Sequence, residues 1–243
     1  MIPIRDENPS LTTPWVTYGL IGVNVFVFAL QVSMPREGMM KMLMALGFVP
    51  GRATAALQGE AGLVTGLGLP AFSSMFLHGG WLHLIGNMWY LYIFGDNVED
   101  GLGHGRFVAF YLACGLCATF AQYLIAPYSE VPVVGASGAI AGVLGAYLMV
   151  WPRARIITLL PIFFMITFVH LPALVVLGFW FIMQFFQGVA TVGAAGGGGV
   201  AYWAHIGGFA LGAALVKLLP FRHTPARGGR RRRRPPRNRR YWR

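Results

Sequence analysis

Residues 135–151 read GASGAIAGVLGAYLMVW, a run whose side chains, Ser137 apart, are absent or belong to the apolar and aromatic classes. On a helix Ser137, Ala141 and Gly145 line one face at i, i+4 and i+8, and Gly138 with Gly142 forms a G-x-x-x-G pair. A stripe of small residues lets a second backbone come close in lipid, where burial of apolar surface gives no drive for association. A matching stripe exists at residues 204–219, where His205, Gly208 and Gly212 recur at i, i+3 and i+7. The two stretches are therefore predicted to be neighbouring membrane helices. Their contact faces carry a serine hydroxyl and an imidazole.

The rest of the chain suits that environment. Of 243 residues, 56% are apolar and only 11% charged, against about 25% charged in soluble domains, which excludes an ordinary cytosolic globule. Apolar segments at 14–32, 81–94, 106–125, 137–151, 171–187 and 204–219 are each long enough for a membrane helix if some are short or tilted. They predict an all-α, six-transmembrane-helix bundle over residues 14–220 with a large first outer loop, a cytoplasmic segment at 1–13 and a disordered tail at 221–243. The first apolar run is not followed by a small-residue cleavage pattern, so it reads as a retained helix and not a signal peptide. Within the loop at 33–80, GMMKMLMALGFV (38–49) reads as an amphipathic element in the outer interface. Residues 156–170, broken by Pro161, read as an inner interfacial segment, and residues 188–203, with four glycines at 196–199, as a mobile outer flap.

Net charge is +11, but Lys217 and the arginines from Arg222 onward hold most of the cations, and the remaining body is close to neutral. A run this basic beside the last helix is expected to stay cytoplasmic, which places both termini there. Its prolines and like charges oppose a fold and favour a solvated segment drawn to anionic lipid over a nucleic-acid partner. Cys114 and Cys117 form a C-x-x-C in an apolar stretch without a second pair, which reads as buried packing and not redox or zinc chemistry.

Polar side chains inside a membrane are costly and usually functional. Those singled out are His83, Asn87, Ser137 and His205. Counting back from Arg153 puts Ser137 about 24 Å along its helix, and counting back from Arg222 puts His205 about 26 Å along its own, so the two share a depth below the outer surface. Running inward from an interfacial Trp81, His83 lies about 3 Å and Asn87 about 9 Å down, one turn apart on one face. Serine becomes a nucleophile when a base takes its proton, and histidine is the usual base. All carboxylates fall in the N-terminal segment, the loops or the turn after the second apolar segment, so a Ser-His dyad is expected in place of a triad. His83, the Asn87 amide and the Ser137 backbone N–H are the donors available to a developing oxyanion.

Three motifs in chain order, HGGWLHLIGN (78–87), GASG (135–138) and AHIGG (204–208), make the sequence resemble the rhomboid intramembrane serine proteases across nearly the whole six-helix body. The resemblance implies Ser137 as nucleophile, His205 as general base and His83 with Asn87 as oxyanion stabilisers. It implies a structural hydrogen-bonding role for His78 in the first loop, with Gly135, Gly138 and Gly208 as structural residues near the site. Substrates would be transmembrane proteins, with small or helix-breaking residues near the cut, and the fifth helix and the loop after it would govern their access. The setting implied is a bacterial inner membrane. One departure is Leu69-Pro70, where many members carry Trp-Arg.

Other chemistries fail on spacing. His78 and His83 are five apart without an H-E-x-x-H or a nearby carboxylate, so no metal or cofactor is expected. Lys217 lies about 18 Å along the helix from His205, too far for a Ser-Lys pair. The run at 135–139 lacks the second glycine of a G-x-S-x-G elbow. The alternative is a catalytically silent relative that binds or traffics membrane clients, which would be expected to have lost Ser137 or His205. A small transporter would show charged midplane residues or an inverted repeat, and neither is visible.

Overall fold

In lipid each backbone N–H and C=O must find a partner within the protein, which drives apolar segments into helices. A computed structural model describes residues 1–162, 165–191 and 200–222. In chain order these form β1 (Ile2–Asp6), α1 (Trp15–Ser33), α2 (Arg36–Leu46), α3 (Pro50–Leu57), α4 (Leu69–Ser73), α5 (Trp81–Leu102), α6 (His104–Ile125), α7 (Ser137–Val150), β2 (Arg155–Ile162), β3 (Met165–Pro172), α8 (Ala173–Thr191) and α9 (Tyr202–Leu218). The six apolar segments correspond to α1, α5, α6, α7, α8 and α9. Three of these, α1, α6 and α8, are long and apolar enough to cross a membrane by length and composition. Large apolar side chains such as Phe26, Tyr92, Phe179 and Phe186 point outward from the bundle, a surface suited to lipid. The glycine run at 196–199 and the arginine-rich tail from residue 223 lie outside the described residues.

Helix α7 sits at the centre, with every side chain from Gly138 to Tyr147 buried, as expected of a helix apolar all round. Glycines decide how close its neighbours come. A Cβ on Gly208 would collide with the Gly138 carbonyl, one on Gly212 with the Gly142 carbonyl, and one on Gly145 with the Phe209 carbonyl. Helices α7 and α9 thus meet backbone to backbone along the predicted α9 stripe, but on α7 through the Gly138–Gly142 pair together with Gly145, and not through Ala141 of the predicted stripe. On its other side α7 meets α6, where a Cβ on Gly138 would strike Ala118 and one on Gly142 would stand 2.5 Å from Cys114. Cys114 fills that contact, and Cys117 lies with its Sγ 3.7 Å from the Gly207 carbonyl.

The carboxylates expected in the turn after the second apolar segment lie within a helix. Glu99 and Asp100 occupy the last turn of α5 and are buried. Helix α1 has no side-chain cap of its own at Pro14, and Glu99 supplies one, accepting the Val16 N–H at 2.9 Å and the Thr17 N–H and hydroxyl at 2.7 Å each. Asp100 accepts the Leu11 and Thr12 N–H groups at 3.1 and 3.0 Å. A carboxylate at a helix N-terminus satisfies orphan donors and matches the helix dipole.

Residues 156–170, expected as an interfacial segment, form the β2–β3 hairpin, and the N-terminal segment joins it as β1, giving the order β1-β2-β3 with antiparallel pairs. β-Branched residues in RIITLLPI suit a strand, and Pro161 disfavours a helix. β1 is also clasped from the bundle: Trp89 donates to the Pro3 carbonyl at 2.7 Å and the Tyr147 hydroxyl to Asp6 at 2.7 Å. Near the other end of the described chain, the Phe221 ring packs 5.5 Å from Trp151 and the Arg222 N–H donates to the Gly101 carbonyl at 2.8 Å. Both ends of the described chain therefore lie at one end of the bundle. The large first loop lies at the opposite end, tied to the approach to α7 by the reciprocal Phe48–Val133 backbone bonds. Pro70 stands in the first turn of α4, where a missing N–H costs nothing.

Two tests follow from these contacts. Gly212→Val is expected to lower stability by about 1–3 kcal/mol or more through overpacking, read by denaturant unfolding in detergent. The second concerns Asp6, whose carboxyl burial pushes up to about 7, helped by the Asp96 charge and opposed by the Tyr147 hydrogen bond. The folded chain holds this proton while the unfolded one, at 3.8, releases it. The Asp6 contribution to stability is then greatest below about pH 4, falls as pH rises to about 7 and levels off above. Asp6→Asn should flatten that slope and be more stable than wild type at pH 8 in thermal melts.

Candidate active site

The site begins at a turn that needs glycine. Gly135 has φ +121°, a conformation that side chains disfavour, and its N–H donates to the Ser74 carbonyl at 2.8 Å. The turn delivers Ser137 as the first residue of α7, where its own N–H has no intrahelical acceptor. One helical turn above the Gly208–Gly138 contact, α9 brings His205 alongside. The Ser137 hydroxyl donates to His205 Nε2 at 2.8 Å. On the far edge of the ring, His205 Nδ1–H donates to Gln184 Oε1 on α8 at 2.6 Å.

Helix α5 supplies the opposite wall. A Cβ on Gly135 would stand 2.7 Å from His83 Nε2 and 3.5 Å from Asn87 Nδ2, so the same glycine that shapes the turn also admits both side chains. The Gly79 N–H donates to His83 Nδ1 at 3.4 Å, which in a neutral ring leaves the proton on Nε2 and aims a donor at the turn. The Asn87 Nδ2 group is buried and has no hydrogen-bond partner among the described residues. Ser137, His205, His83, Asn87, Gly135 and Trp180 line one cavity of about 850 Å³.

His78 lies behind this wall. The hydrogen bonds expected of its side chain are not made: both ring nitrogens are buried without a partner among the described residues, the ring packs edge-on to His83 with centroids 5.2 Å apart, and it is the backbone that Gln31 of α1 clamps, accepting from the N–H and donating to the carbonyl at 3.0 Å each. Burial, with the nearby His83 second, holds the His78 imidazole down at about 4, so it is neutral at physiological pH. Gln31, Gln184 and Trp180 were not singled out from the sequence. The signal existed for the two amides, since both stand in apolar segments like Asn87.

Chemically, a hydroxyl with an adjacent imidazole faces N–H donors across a cavity, the arrangement that acyl transfer needs. Among the described residues no three His, Cys, Asp or Glu side chains gather as metal ligands would.

The rhomboid-domain family model matches residues 65–220. Among curated proteins, the chain is 33% identical over 148 residues to the bovine (Bos taurus) presenilin-associated rhomboid-like protein, mitochondrial, covering 60% of this chain and 36% of that protein. It is 46% identical over 74 residues to the Bacillus subtilis rhomboid protease GluP, covering 30% of this chain and 14% of that protein. It is 42% identical over 76 residues to the Arabidopsis thaliana RHOMBOID-like protein 5, covering 31% of this chain and 25% of that protein. The chain thus spans little more than a third, at most, of the length of these three relatives.

Gly135→Ala should strain the turn and press on the His83 ring. The expected loss is about 1–3 kcal/mol of stability, measured by unfolding in detergent, with Gly80→Ala as a control because a Cβ there meets open space.

Proposed function

The chain belongs to the rhomboid family, and from that premise we propose that it is an intramembrane serine endopeptidase cutting peptide bonds in or near transmembrane segments through Ser137 and His205. The observation that carries this reading is the 2.8 Å contact between the Ser137 hydroxyl and His205 Nε2. His205 takes the hydroxyl proton as Oγ attacks the peptide carbonyl, and the resulting oxyanion receives N–H groups from Asn87, His83 and the Ser137 backbone. The imidazolium then gives its proton to the departing amine. Water, activated by the same ring, hydrolyses the acyl-serine and frees the enzyme.

The membrane setting of the reading is six spans in a bacterial inner membrane with both termini cytoplasmic. Supporting it, both ends of the described chain lie at one end of the bundle, and the sequence after Arg222 is rich in arginine, which favours the cytoplasmic side. The tail rests on anionic lipid. Substrates are transmembrane proteins that loosen near the cut, because a helical backbone hides its carbonyls from a nucleophile.

A serine-directed fluorophosphonate should label the wild type and not Ser137→Ala. His205→Ala should abolish cleavage of a single-span substrate with the fold retained, and Asn87→Ala should lower kcat about 100-fold. Folded wild type that neither labels nor cleaves would overturn the enzyme reading and leave a client-binding relative.

A further inference from the structure

The edge of His205 that faces away from Ser137 is not left to solvent or to a carboxylate. Two side chains of α8, one turn apart, hold the imidazole: Trp180 packs on its face with centroids 5.7 Å apart and planes 34° apart, and Gln184 Oε1 meets Nδ1 at 2.6 Å. Residues at i and i+4 share a helix face, so both contacts come from one stripe of α8. We propose that Gln184 is a positioning residue for His205, its amide oxygen accepting the Nδ1 proton so that the Nε2 lone pair is turned to the Ser137 hydroxyl. This rests on the protease reading above.

The physical need is specific. A neutral imidazole carries its proton on one nitrogen or the other, and only the Nδ1–H form can accept from serine through Nε2. In a water-filled site solvent could serve either form, whereas this ring is buried and its protein partners decide. An amide oxygen is an acceptor at every pH, so it selects the tautomer as a triad carboxylate does. It carries no charge to support the imidazolium, and is therefore the weaker partner. The other end of the same amide is a pair of N–H donors, so a rotated amide would select the wrong form.

The anchoring of α8 gives the contact a further meaning. Its side chains buried against the bundle are Ala173, Val176 and Leu177 near the hairpin, with Gly188 near its far end and Phe185 edge-on to Trp203 of α9, while Phe179, Ile182, Met183 and Phe186 face outward. Between those points α8 is held to α9 by Trp180 and Phe181 on Phe209 and by Gln184 on His205. The base is correctly protonated only while this stretch of α8 is seated.

The test pairs kinetics with a direct view of the ring. In full-length protein labelled with 15N-histidine, wild type should show His205 protonated on Nδ1, and Gln184→Leu should show a mixture or the Nε2–H form. With a single-span substrate, Gln184→Leu should lose about 10- to 100-fold in kcat, the size found for outer hydrogen-bond partners of metal-bound histidines, with KM within about twofold. Gln184→Glu keeps an acceptor oxygen and should recover most of the lost kcat and the Nδ1–H spectrum. An unchanged tautomer in Gln184→Leu, or wild-type kcat in that variant, overturns the proposal. The ring spectrum is informative even if wild type cleaves nothing, a result that would sink the protease reading and leave the positioning contact judged on its own.

Discussion

Everything at the site depends on two helices touching through their backbones. Where α7 and α9 cross, Gly138 and Gly142 offer carbonyls to Gly208 and Gly212 with no room for a methyl group between them. The energies say which interaction governs. A hydrogen bond between membrane helices contributes about 0.6 kcal/mol on average, whereas one methyl forced into a filled contact costs about 1–3 kcal/mol. The Ser137–His205 bond therefore does not hold the helices together. The glycines do, and they leave hydroxyl and imidazole free to be positioned for chemistry.

Polar groups elsewhere in the bundle follow a different logic. Glu99 and Asp100 are taken into the protein only because each meets several donors at the start of α1, and a buried carboxylate without them would be prohibitive. Gln31 spends both ends of its amide on the backbone of His78. These are fully partnered and structural. Asn87, whose Nδ2 lacks a partner among the described residues, and His83, whose Nε2 faces the turn at Gly135, keep donors in reserve beside the cavity. Buried atoms without a partner among the described residues also occur in the scaffold, as at Asn24 Oδ1 and the Tyr111 hydroxyl, so what marks Asn87 is its place on the cavity beside Ser137.

The two ends of the bundle divide the labour. At one end the sheet, the acidic cap on α1 and the Phe221–Trp151 contact lock the chain ends into the fold. At the other end lie the cavity, the first loop and the far end of α8.

Much of this was legible in residue order because it depends on local periodicity. The G-x-x-x-G pair of Gly138 and Gly142 and the stripe His205, Gly208, Gly212 mark faces that meet, and the rise of 1.5 Å per residue brings serine and histidine to one depth. The β2–β3 hairpin and the recruitment of residues 2–6 were hidden, because short apolar runs do not reveal their strand partners, and β1 pairs with residues some 150 positions away. The partner of His205 on its far edge was hidden for a related reason. Gln184 stands 21 residues before it on a helix whose rotation and seating no periodicity sets, so which of its polar side chains turns inward was decided only when α8 docked on α9. Sequence alone determined the helices, their small faces and the depth of the reactive groups, since these follow from spacing along one segment. Tertiary structure decided the third partner, the acidic cap and the sheet, since those require distant segments to meet.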